Sequence, residues 1–192
     1  MHYQQRRRFL WAIIIGGLVL IAIVANATTL VHLRFQELVG YSSAIARVHC
    51  LGADVRMESG EIWTDSHFRI VESEKGNLPA TIIVRQPGGK FQNLHARVDD
   101  SPEFHRGEEV YLFLTGKPGG PFHVVGWSQG TFRIHHDPRT GVETVTQDSA
   151  QVPVYNPKSR EFEKMGLTNL RTEVFVARIR QEASRAASAL EK

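Results

Sequence analysis

A two-residue alternation of side chains, interrupted by turns rich in Gly and Pro, runs through the sequence from residue 44 to residue 147. Successive side chains of a β-strand point to opposite faces, so this spacing predicts strands. The turn Glu58-Ser59-Gly60-Glu61 predicts a hairpin. On its second strand, the alternation predicts a core-facing set and an outer set, namely Ile62, Thr64, Ser66, Phe68 and Ile70 against Trp63, Asp65, His67 and Arg69.

Turns at 75–79, 87–89, 117–121 and 137–141 delimit the other predicted strands, which are 80–86, 108–114, 122–127, 130–136 and 142–147. The run 108–114 is apolar on both faces, which predicts a central strand. Short strands with regularly spaced turns are typical of a sandwich or a barrel. We expect a mainly β fold, a small closed barrel of the oligonucleotide/oligosaccharide-binding (OB) type.

Two helices are predicted to accompany the strands. Phe35, Leu38, Val39 and Ser42 have helical spacing after a short strand at 28–33. A longer helix is predicted to open at Leu167 or Thr168 and to end near Leu190, with its front half packed on the barrel. The domain prediction is therefore a barrel domain at 28–147, a connector at 148–166 and a helix at 167–192.

The first 27 residues have the pattern of a secretory signal peptide. Arg6, Arg7 and Arg8 precede the apolar run Phe9–Ala25, and the small-x-small sequence Ala25-Asn26-Ala27 follows. Cleavage is expected between Ala27 and Thr28. Because a membrane-spanning helix needs about 17–25 apolar residues, the run 9–25 also suits an uncleaved anchor in the inner membrane. Both interpretations export the rest of the chain, into the periplasm, to the outside or onto the membrane surface.

The route of export stays open at this point. Residues 5–10, Gln-Arg-Arg-Arg-Phe-Leu, are similar to the twin-arginine motif, which directs export of folded proteins. An ordinary basic start is favoured, because the apolar run that follows is more apolar than is usual for twin-arginine leaders.

Charge and cysteine content narrow the classes of function. The chain has 23 Lys and Arg against 20 Asp and Glu, and Arg6–Arg8 account for the whole excess. A neutral mature chain argues against nucleic acid as a partner, because that binding depends on neutralising phosphates. The single Cys50 leaves no internal disulfide, so the core must hold the fold. Cys50 itself is expected to be a small buried side chain.

A series of blocks between residues 28 and 147 resembles a family of exported bacterial proteins with no established activity. The blocks are Leu38-Val39, 64–70, Lys75-Gly76-Asn77-Leu78-Pro79, Pro87-Gly88-Gly89, 107–114 and 124–132. The resemblance implies a barrel similar to the netrin-like domains, which include tissue inhibitors of metalloproteases. Those inhibitors chelate zinc through a disulfide-locked N-terminal cysteine. Here the expected mature N-terminus is Thr28, so their mechanism does not transfer.

Catalytic, metal and cofactor signals are weak, and no cofactor or metal is predicted. His135-His136-Asp137 is the nearest approach to a metal cluster, but adjacent strand residues point to opposite faces. The carboxylates of Glu108 and Glu109 diverge for the same reason. Ser66 and Ser128 lack a nucleophile elbow or a paired base. An enzyme would have to assemble its site from distant residues such as Asp65, His67 and His136.

The aromatic residues suggest a binding surface instead. Trp63, Trp127, Tyr111 and Phe91 are candidates for a platform that binds a sugar or a peptide, although core packing also explains them. We expect binding residues at Trp63, Asp65, His67 and Trp127. The leading hypothesis is an exported, non-enzymatic protein that binds an envelope protein or a secreted protease. The alternatives are a metal-dependent or hydrolytic enzyme and a structural envelope component anchored by residues 9–25.

Overall fold

The computed structural model describes residues 31–117, 119–151 and 153–190. The predicted leader, its cleavage site at Ala25, Ala27 and Thr28, and the anchor at 9–25 lie outside the described residues. Within the described ranges, no helix has both the length and the apolar character needed to cross a membrane.

Over the described residues the fold is mainly β with two α-helices, one near the N-terminus and one at the C-terminus, as the sequence predicts. Short 3-10 helices cover Trp127–Gly130 and Asp148–Gln151. In chain order, the elements are α1 Phe35–Tyr41, β1 Ala44–Glu58, β2 Glu61–Lys75, β3 Thr81–Pro87, β4 Gly89–Phe91, β5 Leu94–Ala96, β6 Glu109–Thr115, β7 His123–Val124, β8 Thr131–His136, β9 Glu143–Gln147, β10 Pro153–Asn156, β11 Glu161–Lys164, β12 Leu170–Arg171 and α2 Thr172–Leu190.

One antiparallel sheet with the order β12-β9-β8-β6-β1-β2-β3 carries the fold, and β7 pairs with β6 beside it. The long β1–β2 hairpin turns at Ser59 and Gly60, whose φ values of 54° and 85° fit a tight hairpin turn. The central position of β6, between β1 and β8, confirms the prediction for the run that is apolar on both faces.

The strands of the described residues do not form the expected closed barrel. Strand pairing ends at β3, and the link from β3 toward β7 is an isolated parallel bridge between Val84 and Phe122. Two hydrogen bonds support this bridge, from Phe122 N to Ile83 O and from Arg85 N to Phe122 O, both 2.8 Å. The predicted strand at 122–127 is shortened to β7 because Gly126 and Trp127 have left-handed φ values of 60° and 50°, which end an extended segment.

The sheet has a buried cluster on each face. The inner cluster contains the core-facing side chains of β1, β2, β3 and β6, among them Phe68, Val84 and Leu112. The outer cluster lies under the two helices and is rich in aromatic rings, including Phe113, Phe132 and Phe175. Burial along β2 agrees with the predicted core-facing set at Ile62, Ser66 and Phe68, which are all buried.

Helix α2 begins at Thr172 rather than at Leu167 or Thr168. Residues Leu170 and Arg171 form β12 instead, because they pair with Val145 and Thr144 of β9. The front half of the helix packs on the sheet as predicted, through Phe175 and Ile179. The expected connector contains a further hairpin, β10–β11, which the sequence pattern did not indicate.

Candidate functional site

Three of the four predicted binding residues lie in one row on the outer face of β2. Trp63, Asp65 and His67 alternate there with the core-facing Thr64 and Ser66. The neighbouring strands place charged side chains beside this row. On β1, Arg56 pairs with Trp63 and Asp54 with Asp65, and on β3, Arg85 pairs with Asp65.

Asp65 is the centre of an ion cluster. Arg85 donates two hydrogen bonds to it, from Nε to Oδ1 at 2.8 Å and from Nη2 to Oδ2 at 3.1 Å, and Arg56 contacts Oδ2 as well. Glu58 accepts a further bond from Arg85 Nη1 at 3.1 Å. The Asp65 side chain is 2% exposed, and the hydrogen bonds from Arg85 hold the pKa of its carboxyl below the usual value. A carboxylate paired in this way is suited to orienting the two arginines rather than to accepting a proton.

The lowered pKa of Asp65 predicts that its contribution to stability is lost in acid. The contribution is complete above the unfolded pKa, about 3.9, and disappears as the pH falls through the lower folded pKa. In Asp65→Asn this contribution is absent at every pH. Below about pH 4, the free energy of unfolding should therefore fall less steeply with pH in the variant than in the wild type. Urea denaturation at a series of pH values measures both slopes, and equal slopes would contradict the assignment.

His67 belongs to the same row but has a different partner. Its Nε2 lies 2.9 Å from Asp54 Oδ2, near the surface. The structure does not bring His136 to this place, because His136 is on β8 and two strands, β6 and β1, lie between β8 and β2. His136 borders a different pocket, together with Arg47 and Glu143.

Trp63 and Trp127 come together although they are 64 positions apart in the sequence. They line one groove of about 610 Å³, which we call the tryptophan groove. Trp63 reaches it from the base of the β1–β2 turn, and Trp127 from the start of the 3-10 helix at Trp127–Gly130. Apolar side chains make up most of the remaining lining, namely Met57, Ile62, Pro87, Leu94, Ala96 and Val98. Leu94 is 53% exposed and Met57 is 40% exposed, so apolar surface is open to solvent there.

The short hairpin β4–β5 forms one wall of the tryptophan groove. The predicted turn Pro87-Gly88-Gly89 leads into this hairpin, but the sequence pattern does not predict its strands. In this hairpin Lys90 pairs with His95, and Phe91 pairs with Leu94. Because alternate residues of a strand face opposite ways, the hairpin has a polar face with Lys90 and His95 and a more apolar face with Leu94.

Two other aromatic candidates have different places. Tyr111 was a candidate for the platform, but it is fully buried in the outer cluster, where its ring lies 5.2 Å from that of Phe175. Burial raises the pKa of its hydroxyl to about 12. Tyr111 is therefore a core residue, and Phe91 lies on the β4–β5 hairpin without lining the tryptophan groove.

The carboxylates of the two weak metal and acid-base candidates have partners of their own. Glu109 binds Arg47 at 2.8 Å, whereas Glu108 binds Arg133, so the two carboxylates diverge. Asp137 accepts hydrogen bonds from the Arg139 backbone and the Thr140 hydroxyl within its own turn, both at 2.8 Å. Across residues 31–117, 119–151 and 153–190, no three His, Cys, Asp or Glu side chains are grouped so as to hold a metal ion.

Cys50 is buried in the inner cluster as expected, and burial raises the pKa of its thiol. A thiol in such surroundings stays protonated and is a poor nucleophile.

The chain matches no family model, no curated protein and no solved structure.

Proposed function

We propose that this chain is an exported, non-enzymatic protein that binds a protein partner through the tryptophan groove. The observation that carries the proposal is the convergence of Trp63 and Trp127 on one open, mostly apolar groove. The occupant is an apolar segment of the partner, whose side chains replace solvent between the two indole rings.

The lining of the groove favours a peptide over a sugar. A sugar needs hydrogen-bonding groups around the aromatic ring it stacks on, whereas Met57, Leu94 and Val98 offer apolar contact. Tryptophan and methionine are enriched in protein interfaces, and tryptophan is prominent among the residues that carry most of the binding energy. Contiguous exposed apolar surface on a protein of this size also marks interaction sites.

The ion cluster around Asp65 supports the same proposal, because one of its arginines is the cross-strand neighbour of Trp63. Arg56 is the cross-strand neighbour of Trp63 and is about half exposed. Its contact with Asp65 holds the guanidinium on the outer face of β2, the face on which Trp63 lies. A fixed charged group at the edge of an apolar centre is the usual arrangement of a protein interface, with polar groups around a dry core.

Export and the relationship to OB-like, netrin-like barrels are parts of this proposal. The basic, apolar and small-x-small order of residues 1–27 supports export. The parallel bridge between Val84 and Phe122 supports an OB-like relationship, because it links β3 to the segment that leads into β7.

The mass of the exported protein tests whether the leader is cleaved. Loss of residues 1–27 is the expected result, and a retained leader would favour the anchored alternative.

Affinity capture from the native envelope fraction tests the proposed binding. The full chain is expressed as wild type and as the double variant Trp63→Ala/Trp127→Ala, and retained proteins are quantified by mass spectrometry. We expect one saturable partner whose retention falls at least tenfold in the double variant, which corresponds to a loss of about 1.4 kcal/mol or more.

Phe162→Ala is the matched control, because Phe162 is an exposed aromatic residue on β11, outside the groove. Its retention of the partner should equal that of the wild type. Circular dichroism spectra of all three proteins should agree. A partner retained equally by the folded double variant would exclude the tryptophan groove as the binding site.

A further inference from the structure

A second pocket, which we call the polar pocket, lies behind the β4–β5 hairpin. Its volume is about 270 Å³. Its floor is formed by Thr64 and Ser66, near the start of β2, and by Gln86 and Pro87, at the end of β3. The hairpin forms one wall, and the segment 97–105 forms the other. The polar pocket and the tryptophan groove share the residues of the hairpin that separates them, including His95 and Ala96.

At the floor of the polar pocket, the core-facing side chains of β2 and β3 change from apolar to polar along each strand. On β3, Ile82 and Val84 are followed by Gln86, and on β2, Phe68 is preceded by Ser66. Ser66 is 1% exposed and Gln86 is 5% exposed, so both polar side chains are buried. Buried polar groups at the end of an otherwise apolar interior are the kind of feature that orients a ligand in a pocket.

The hydrogen bonds of the floor use both hydroxyl donors and one N–H of the Gln86 amide, and they leave hydroxyl oxygens that can still accept. Ser66 Oγ donates to Gln86 Oε1 at 3.1 Å, and Gln86 Nε2 donates to the carbonyl of Pro102. Thr64 Oγ1 donates to the carbonyl of Gly88 at 2.7 Å. A hydroxyl oxygen that has donated its hydrogen still has lone pairs to accept another. The floor is thus suited to a ligand that donates from its own hydroxyl groups.

The rim of the polar pocket, unlike its uncharged floor, carries positively charged side chains. Lys90 and Arg97 contribute two positive charges, His95 and His105 contribute imidazole groups, and Glu103 is the one acid among the residues that line it. Within the described ranges, neither Lys90 nor Arg97 forms an ion pair with another residue. Unpaired cations at the mouth of a pocket attract an acidic group of a ligand.

We propose that the polar pocket binds a small polyhydroxylated carboxylic acid, of the size and chemistry of a single sugar acid. Its hydroxyl groups donate to Ser66 and Thr64 on the floor, and its carboxylate lies at the rim between Lys90 and Arg97. The volume is below the usual range for drug-sized ligands, which favours a ligand of one ring. The residues assigned to this ligand differ from those of the tryptophan groove, since Ser66, Lys90 and Arg97 line the polar pocket alone, whereas Trp63 and Trp127 line the groove alone.

Binding of D-glucuronate to the full-length protein tests the inference, with D-glucose and acetate as comparison ligands. Ligand-observed NMR and calorimetry should give a dissociation constant for glucuronate of about 1 mM or lower. Glucose lacks the carboxylate and acetate lacks the hydroxyl groups, so both should bind at least tenfold more weakly. No binding of glucuronate, or binding of acetate with equal affinity, would overturn the proposal.

Variants of the lining assign the site, and those at Lys90 and Arg97 change exposed side chains that the fold does not need. Lys90→Ala/Arg97→Ala should weaken glucuronate binding at least tenfold, and Ser66→Ala should weaken it several-fold. Lys158→Ala changes an exposed lysine in the β10–β11 turn and should have no effect. Trp127→Ala should also leave glucuronate binding unchanged, which separates this test from that of the proposed function. Unchanged affinity in the rim double variant would overturn the site.

Discussion

Replacing Phe175 with alanine is expected to lower the free energy of unfolding by about 4 kcal/mol, because it leaves a cavity in the aromatic part of the outer cluster. Phe175 is 0% exposed. Its ring centroid lies 4.7 to 6.3 Å from those of four neighbours, Phe132, Tyr111, Phe35 and Phe113. These contacts attach helix α2 to both the sheet and α1. Removing them should therefore also loosen the C-terminal helix.

Val174→Ala is the matched control for Phe175→Ala. Val174 precedes Phe175 in the same helix but is 50% exposed, so its truncation should change the free energy of unfolding by no more than about 0.5 kcal/mol. Urea denaturation followed by circular dichroism measures both variants. Equal small effects of the two substitutions would show that α2 is not docked on the sheet in the way described.

Arg85→Ala is expected to lower the free energy of unfolding by about 3 kcal/mol, somewhat less than Phe175→Ala. The substitution removes both hydrogen bonds of Arg85 to Asp65 and leaves a buried carboxylate with Arg56 as its remaining cation. Breaking a buried ion pair by removing one partner costs more than the pair itself contributes, because the other charge stays out of water. The loss should shrink below about pH 4, where the variant's Asp65 can take up a proton.

Arg69→Ala provides the comparison, since Arg69 is an exposed arginine in the same outer row of β2. Its effect on the free energy of unfolding should stay within about 0.5 kcal/mol. The double variant Asp65→Asn/Arg85→Ala should be more stable at neutral pH than Arg85→Ala alone, because no buried charge remains. A double variant less stable than Arg85→Ala would contradict the ion-pair explanation.

The local pattern of β2 was predictable from the sequence, and its burial was only partly so. Alternation correctly separates Ile62, Ser66 and Phe68 from the outer row. It gave no reason to expect that Asp65, on the outer face, is as buried as the core. That burial arises from Arg56 and Arg85, which belong to two other strands, and sequence spacing carries no information on such pairing.

The sequence indicates which aromatic residues take part in the tryptophan groove, but not the elements that bring them together. Trp63 and Trp127 were both expected to bind, but their meeting depends on the turn at Gly126 and on the β4–β5 hairpin. That hairpin has two three-residue strands, which are too short for a periodic signal. The sequence pattern predicts too early a start for α2 for a related reason, since the pairing of Leu170 and Arg171 with β9 overrides their helical spacing.

Site-specific photo-crosslinking in the native envelope tests most directly whether a protein partner occupies the tryptophan groove. A photoreactive amino acid replaces Leu94 in one protein and Phe162 in another, both exposed positions on different hairpins. We predict a discrete adduct from position 94 that disappears when Trp127→Ala is added, and no adduct from position 162. An adduct from position 162 with none from position 94 would contradict this prediction.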